Sequence, residues 1–154
     1  VPVGHIILVE LRGRGADKLH GPLAVRNPLL EQLDAAGVDA LILADLGAFT
    51  LAGKYAPRCE RHISTQQSIA NYVCAQSWFD LGARRVVLAR ELSLREIQAV
   101  AEAAPDLDLE VFVHGALCYS YSGQCLFSAL EYGKSANRGR CVYPCRAEFA
   151  VEEE

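Results

Sequence analysis

Four short strand-like segments, at residues 40–44, 61–64, 85–89 and 109–113, recur every 21 to 24 residues, with helix-like patterns between them. Strands separated by one helix-length crossover pair in parallel, and such connections are right-handed. The spacing therefore predicts an α/β fold on a parallel sheet. An earlier β-branched run, residues 5–11, adds a fifth strand. Five strands can stand as an open doubly wound sheet, or as part of a (β/α)8 barrel, which normally takes about 250 residues. The unit length recurs, but no residue pattern does.

The intervals carry their own punctuation. Residues 12–21, with three glycines, predict a loop. Asn27 before Pro28 starts a helix that presents Leu29, Leu30 and Leu33 on one face until Gly37 stops it. Helices are expected over residues 48–55, closed by Pro57, and over 67–81, ended by Gly82. Ser93-Leu94-Arg95-Glu96 is a capping box, opening a helix that runs to about Ala104.

A chain of 154 residues, 51% hydrophobic and 22% charged, suits one ordinary globular domain. No apolar run approaches the ~20 residues that cross a bilayer. The absence of a basic, apolar opening segment points to a reducing, cytoplasmic setting. Methionine is absent and the chain opens on Val1-Pro2-Val3, so it reads either as an unusual start or as a fragment. A net charge of −4 argues against capture of nucleic acid by the whole surface, but Arg138, Arg140 and Arg146 form a local basic patch. Those arginines equally suit a solvated loop or the counter-charge of an anionic cluster.

Four of the six cysteines, Cys118, Cys125, Cys141 and Cys145, crowd into residues 114–146 with spacing C-x6-C-x15-C-x3-C. Thiolates among glycines and small polar residues suit an iron–sulfur cluster, because free backbone N–H groups can turn toward the sulfides. Zinc is the alternative, although only Cys141 and Cys145 have the close spacing that it prefers. Disulfides need an oxidising compartment, and buried thiols alone hardly explain four cysteines so close together. Cys59 and Cys74 read as ordinary core or surface thiols.

Function in parallel α/β folds gathers beyond the C-terminal strand ends. There the sequence places Asp45, then Ser64-Thr65-Gln66, then Arg90-Glu91, then His114-Gly115. Asp45 and Gln66 are candidate substrate contacts, as are Arg138 and Arg140. His114, Glu91 and Arg90 are the candidate catalytic groups; His114 can instead orient a neighbour, and Arg90 and Glu91 can simply pair. Glu110, inside the last strand, is expected to face outward or to bond a loop amide.

The run from Glu110 through His114, Cys118, Gly123 and Cys125 to Ser128, followed by Ser135-Ala136-Asn137-Arg138-Gly139-Arg140-Cys141 and Pro144-Cys145-Arg146, resembles the signature of the U32 peptidase family. The resemblance extends back through residues 84–93 and 62–66 to about Ala36, some four fifths of the chain. The family comprises collagenase-like proteases together with RNA-base hydroxylation proteins and an oxygen-independent ubiquinone hydroxylation pair. It implies a barrel, with residues 1–113 as a partial (β/α) barrel and 114–154 as the Cys-rich segment packed on it. On that reading the opening βα units are missing.

The chemistry implied is hydroxylation of an RNA base or quinone precursor without molecular oxygen, with a [4Fe-4S] cluster handling electrons. Two alternatives remain: a peptidase, and a non-catalytic cluster-bearing or RNA-binding half that works with a partner subunit. For a peptidase, Cys118 lies four residues from His114, and Ser120, Ser122 and Ser128 offer hydroxyls. Neither a G-x-S-x-G elbow nor an H-E-x-x-H helix is present.

Overall fold

The structure, a computed structural model, describes residues 6–8, 27–115 and 117–150. The loop expected over residues 12–21 lies outside them. Five strands, β1 (Ile6–Leu8), β2 (Ala40–Leu43), β3 (Glu60–Ile63), β4 (Arg85–Val87) and β5 (Asp108–Glu110), form one sheet in the order β1-β2-β3-β4-β5. Every pairing is parallel. A doubly wound sheet needs a point at which the strand order reverses, and the described strands have none.

Strand register sorts the side chains onto two faces. Leu43 lies beside Ile63, Ile63 beside Val86, and Val86 beside Leu109. Because side chains alternate along a strand, these share a face, and they form one core with Leu30, Phe49, Ala52, Ala75 and Val100 from the helices. Arg61 falls on this apolar face and is accommodated by laying its guanidinium 4.1 Å over the Phe49 ring. The other face mixes Ala40, Ile42 and Val87 with polar and charged side chains. His62 is buried there, its Nε2 2.9 Å from a Glu60 carboxylate oxygen, and its Nδ1 has no partner among the described residues. Arg85 bridges Asp108 at 3.7 Å and Glu110 at 3.5 Å. Glu110, with its side chain 43% exposed, is thus met by a cross-strand arginine, and among the described residues no loop amide bonds it.

Helix boundaries follow the capping chemistry. Helix α1 (Pro28–Ala35) starts where the Asn27 side chain accepts the Leu30 N–H. Helix α2 (Leu46–Tyr55) begins two residues before the expected start, because Asp45 caps it. The helix expected from residue 67 instead splits into a 3-10 turn, Thr65–Gln67, and α3 (Tyr72–Asp80), capped by Asn71. Between them Ser68 is left-handed, φ 52°, and its hydroxyl donates to the Ser122 carbonyl. Helix α4 (Leu94–Ala103) carries the predicted capping box. Strand β5 ends at Glu110, short of the expected Val113, because the last ladder bond from the β4 side, Leu88 N–H to the Glu110 carbonyl, is made there. The Cys-rich segment folds as α5 (Phe127–Tyr132) and two 3-10 turns, Ala136–Arg138 and Pro144–Arg146.

Candidate functional site

The strand ends hold the Cys-rich segment through a small number of bonds to its main chain. Arg90, just past β4, donates from its guanidinium to the carbonyls of Cys118 and, at 2.9 Å, of Ser120. Its Nε and its backbone N–H both reach the Ser122 hydroxyl, at 3.1 and 3.3 Å. Glu91 accepts the Ser122 backbone N–H at 2.8 Å. Burial raises the affinity of Glu91 for a proton, but the hydrogen bonds from Ser122 and its own N–H, together with the Arg90 charge, outweigh it and hold the carboxyl below its usual range.

Two further contacts seat the loop. Gly123, at φ 72°, lies so close to Gln66 that a Cβ there would meet the Gln66 carbonyl oxygen at 2.0 Å. Asn137 donates to the Gly123 carbonyl at 2.8 Å. Ser128, fully buried, accepts the Val142 N–H at 3.2 Å and so joins the α5 region to the last pair of cysteines.

Seated this way, the segment encloses a cleft of about 770 Å3. Cys118, Cys125, Cys141 and Cys145 all line it, with Gln66, Arg90 and His114. All four are free thiols, and the Tyr143 backbone N–H points at the Cys141 sulfur at 3.3 Å. Hydrogen bonds of this kind tune cluster sulfurs, and four soft donors on one cleft suit an iron–sulfur group or zinc by chemistry. Among the described residues, however, no three His, Cys, Asp or Glu side chains stand close enough together to hold a metal ion. The thiols share a cleft without being gathered to a point, and a bound group would have to draw them together, as metals commonly do when binding completes folding.

The other anticipated residues divide. Gln66 lines the cleft between the sheet and the loop. His114 also lines it, exposed, and makes no hydrogen bond to a cysteine thiol or serine hydroxyl among the described residues. Arg90 and Glu91 act on the loop main chain. Asp45 caps α2, its Oδ1 accepting the Ala48 N–H at 2.8 Å. Arg140 is exposed and off the cleft wall, whereas Arg146 is on it, with its guanidinium on the Leu117 carbonyl at 3.1 Å. Arg138 lies in a 3-10 turn, and its side chain is outside the described set. Cys59 and Cys74 lie elsewhere, and burial pushes both thiols up.

Two features escaped the sequence reading. Ser122 is the buried joint between Arg90 and Glu91, though the sequence offers it only as one hydroxyl among several. The cleft is also ringed by aromatic side chains, with Tyr119 at 95% and Tyr121 at 69% exposed. The alternation Tyr119-Ser120-Tyr121-Ser122 was the available signal, since it sends two rings outward and a small residue inward.

The profile of peptidase family U32 matches residues 23–154. The chain belongs to the U32 family. Among curated U32 relatives, it is 48% identical over 111 residues to the tRNA hydroxylation protein P of Helicobacter pylori, covering 72% of this chain and 26% of that protein. It is 43% identical over 126 residues to the 23S rRNA 5-hydroxycytidine C2501 synthase of Escherichia coli, covering 82% and 19%. It is 32% identical over 142 residues to the collagenase of Porphyromonas gingivalis, covering 86% and 34%. The chain thus spans about a quarter of the length of the tRNA hydroxylation relative. No solved structure matches it significantly. No helix among the described residues is long and apolar enough to cross a membrane.

Proposed function

We propose that this U32 chain is the cysteine-bearing part of an enzyme that hydroxylates an RNA base without molecular oxygen. The observation that carries the reading is the cleft itself, where four free thiols face exposed aromatic rings at the strand ends. The names of its relatives, a tRNA hydroxylation protein and an rRNA 5-hydroxycytidine synthase, point to the same chemistry. The sequential parallel strand order supports an arc of a larger (β/α)8 barrel as the scaffold. An RNA substrate fits a cytoplasmic enzyme.

On this reading Cys118, Cys125, Cys141 and Cys145 hold a [4Fe-4S] cluster. When bound, that group would carry electrons one at a time during the hydroxylation, a net two-electron oxidation whose oxygen atom and oxidising equivalents come from an oxygen-donating co-substrate. The protein's own residues do the rest. Arg90 and Glu91 fix the loop that carries Cys118, so that its thiol is presented to the cleft from a rigid support. The Gln66 amide on the cleft wall can both donate to and accept from a base edge. His114 presents an imidazole whose nitrogens can take up or return a proton at the bound base.

The test uses the full-length protein, purified anaerobically and assayed for iron and acid-labile sulfide, with nucleoside mass spectrometry of RNA from cells that carry each variant. Cys141→Ser exchanges a soft thiolate for a hard hydroxyl, so iron, visible absorption and hydroxylated nucleoside should fall together. Cys74→Ser should leave all three in place. Peptide cleavage that survives Cys141→Ser and disappears in Cys118→Ala would replace the hydroxylase reading with a peptidase.

A further inference from the structure

Tyr143 sits between Cys141 and Cys145 with φ 58° and ψ 44°, a left-handed conformation that is sterically unfavourable for a residue with a large side chain. Its backbone is held there from both sides. The N–H donates to the Cys141 sulfur at 3.3 Å, and the carbonyl accepts the Arg146 N–H at 3.0 Å, with buried Pro144 following. The ring gains little from folding, because it is 61% exposed on the cleft wall. Glycine would satisfy this backbone with less strain. A strained position spent on an exposed ring is explained by what the ring meets, and strain of this kind concentrates at ligand sites.

The surroundings narrow the ligand. Tyr119 and Tyr121 present further exposed rings to the same cleft. Within residues 114–150 Lys134, Arg138, Arg140 and Arg146 stand against only Glu131 and Glu148, although the whole chain carries −4. The Arg146 guanidinium is positioned on the cleft wall by its hydrogen bond to the Leu117 carbonyl. Flat aromatic faces beside local positive charge match an unpaired base and its phosphate; in a duplex, base faces are already stacked and unavailable.

Resting on the RNA reading above, we infer that Tyr143 is a stacking platform for an unpaired nucleobase of single-stranded RNA, and so positions the substrate beside the cysteines. The test is titration of the full-length protein into a single-stranded hexaribonucleotide that carries one 2-aminopurine, reading fluorescence quenching and Kd. Tyr143→Phe should keep both. Tyr143→Leu, which retains bulk without a π-face, should weaken binding about five- to a hundredfold and abolish the quenching. Tyr143→Gly should lose as much while its melting temperature stays at or above the parent's, an outcome that a merely structural tyrosine would not give. If the parent binds the RNA and both variants bind it equally well, the stacking role fails and the RNA reading stands. If the parent does not bind the RNA, both fail, and binding of a proline-rich collagen-like peptide in its place would favour the peptidase.

Discussion

The Glu91 carboxylate accepts the backbone N–H of Ser122 at 2.8 Å, while the Ser122 hydroxyl takes two hydrogen bonds from Arg90. Adjacent residues at the end of one strand thus grip opposite ends of the same buried serine. The pair has a definite pH signature. Glu91 ordinarily titrates near 4.5 and is held below that in the folded state. Its contribution to loop docking is therefore complete above that ordinary value and is lost as the pH falls through the lowered folded value. Amide exchange at Ser122 should accelerate on acidification through that window. Glu91→Gln should exchange faster than the parent at neutral pH and show little of this acid dependence.

Removing the hydroxyl tests the other half of the grip. Ser122 is fully buried, and Ser122→Ala leaves two Arg90 donors without that acceptor. The expected cost is about 1–3 kcal/mol in urea unfolding, since the loss is that of partly buried donors and not of an exposed contact. Arg90→Met should cost at least as much, and should raise proteolytic cleavage within residues 117–122.

Gly123 and Gly133 form an internal comparison. Both have positive φ, 72° and 61°, but a Cβ at Gly123 would run into the Gln66 backbone while one at Gly133 meets nothing within 4 Å. Gly133→Ala should cost about 1–2 kcal/mol, the penalty of the left-handed conformation alone. Gly123→Ala should add about 1–3 kcal/mol of overpacking to that and undock the loop. Thermal melts of the two variants measure the difference.

Helix α4 offers a prediction remote from the cleft. Ser93 and Glu96 cap each other's free N–H groups, at 2.8 Å for Ser93 N–H to the Glu96 carboxylate. Ser93→Ala should lower stability by about 1 kcal/mol in denaturant titrations. It should leave iron content and nucleotide binding unchanged.

These contacts also show where sequence reasoning reached its limit. The βα period, the Asn27 cap and the Ser93–Glu96 box are local, so they were readable from neighbouring residues. The start of α3 was not, because Ser68 answers to the Ser122 carbonyl, 54 positions away. Strand β5 looked longer because Val111, Phe112 and Val113 have strand-forming side chains, but where a strand ends depends on how far its partner extends. Asp45 does follow β2, but its carboxylate accepts the Ala48 N–H of the helix that comes next, a partner fixed by where that helix starts. The spacing of the four cysteines anticipated that they share one cleft, but not that they stand apart within it. Ser122 was not distinguishable from Ser120, since only the fold makes one of them a buried joint.

Arg90 and Glu91 reach residues 118–122 almost entirely through carbonyls, an N–H and one small hydroxyl. Main-chain groups are the same whatever side chain is attached, so this fastening is indifferent to the identity of residues 117, 119 and 121. Leu117, Tyr119 and Tyr121 can therefore be exchanged without rebuilding the joint beneath them. Mechanically, the segment resembles a tool head on a standard fitting, in which three exposed side chains can change while the fastening stays the same.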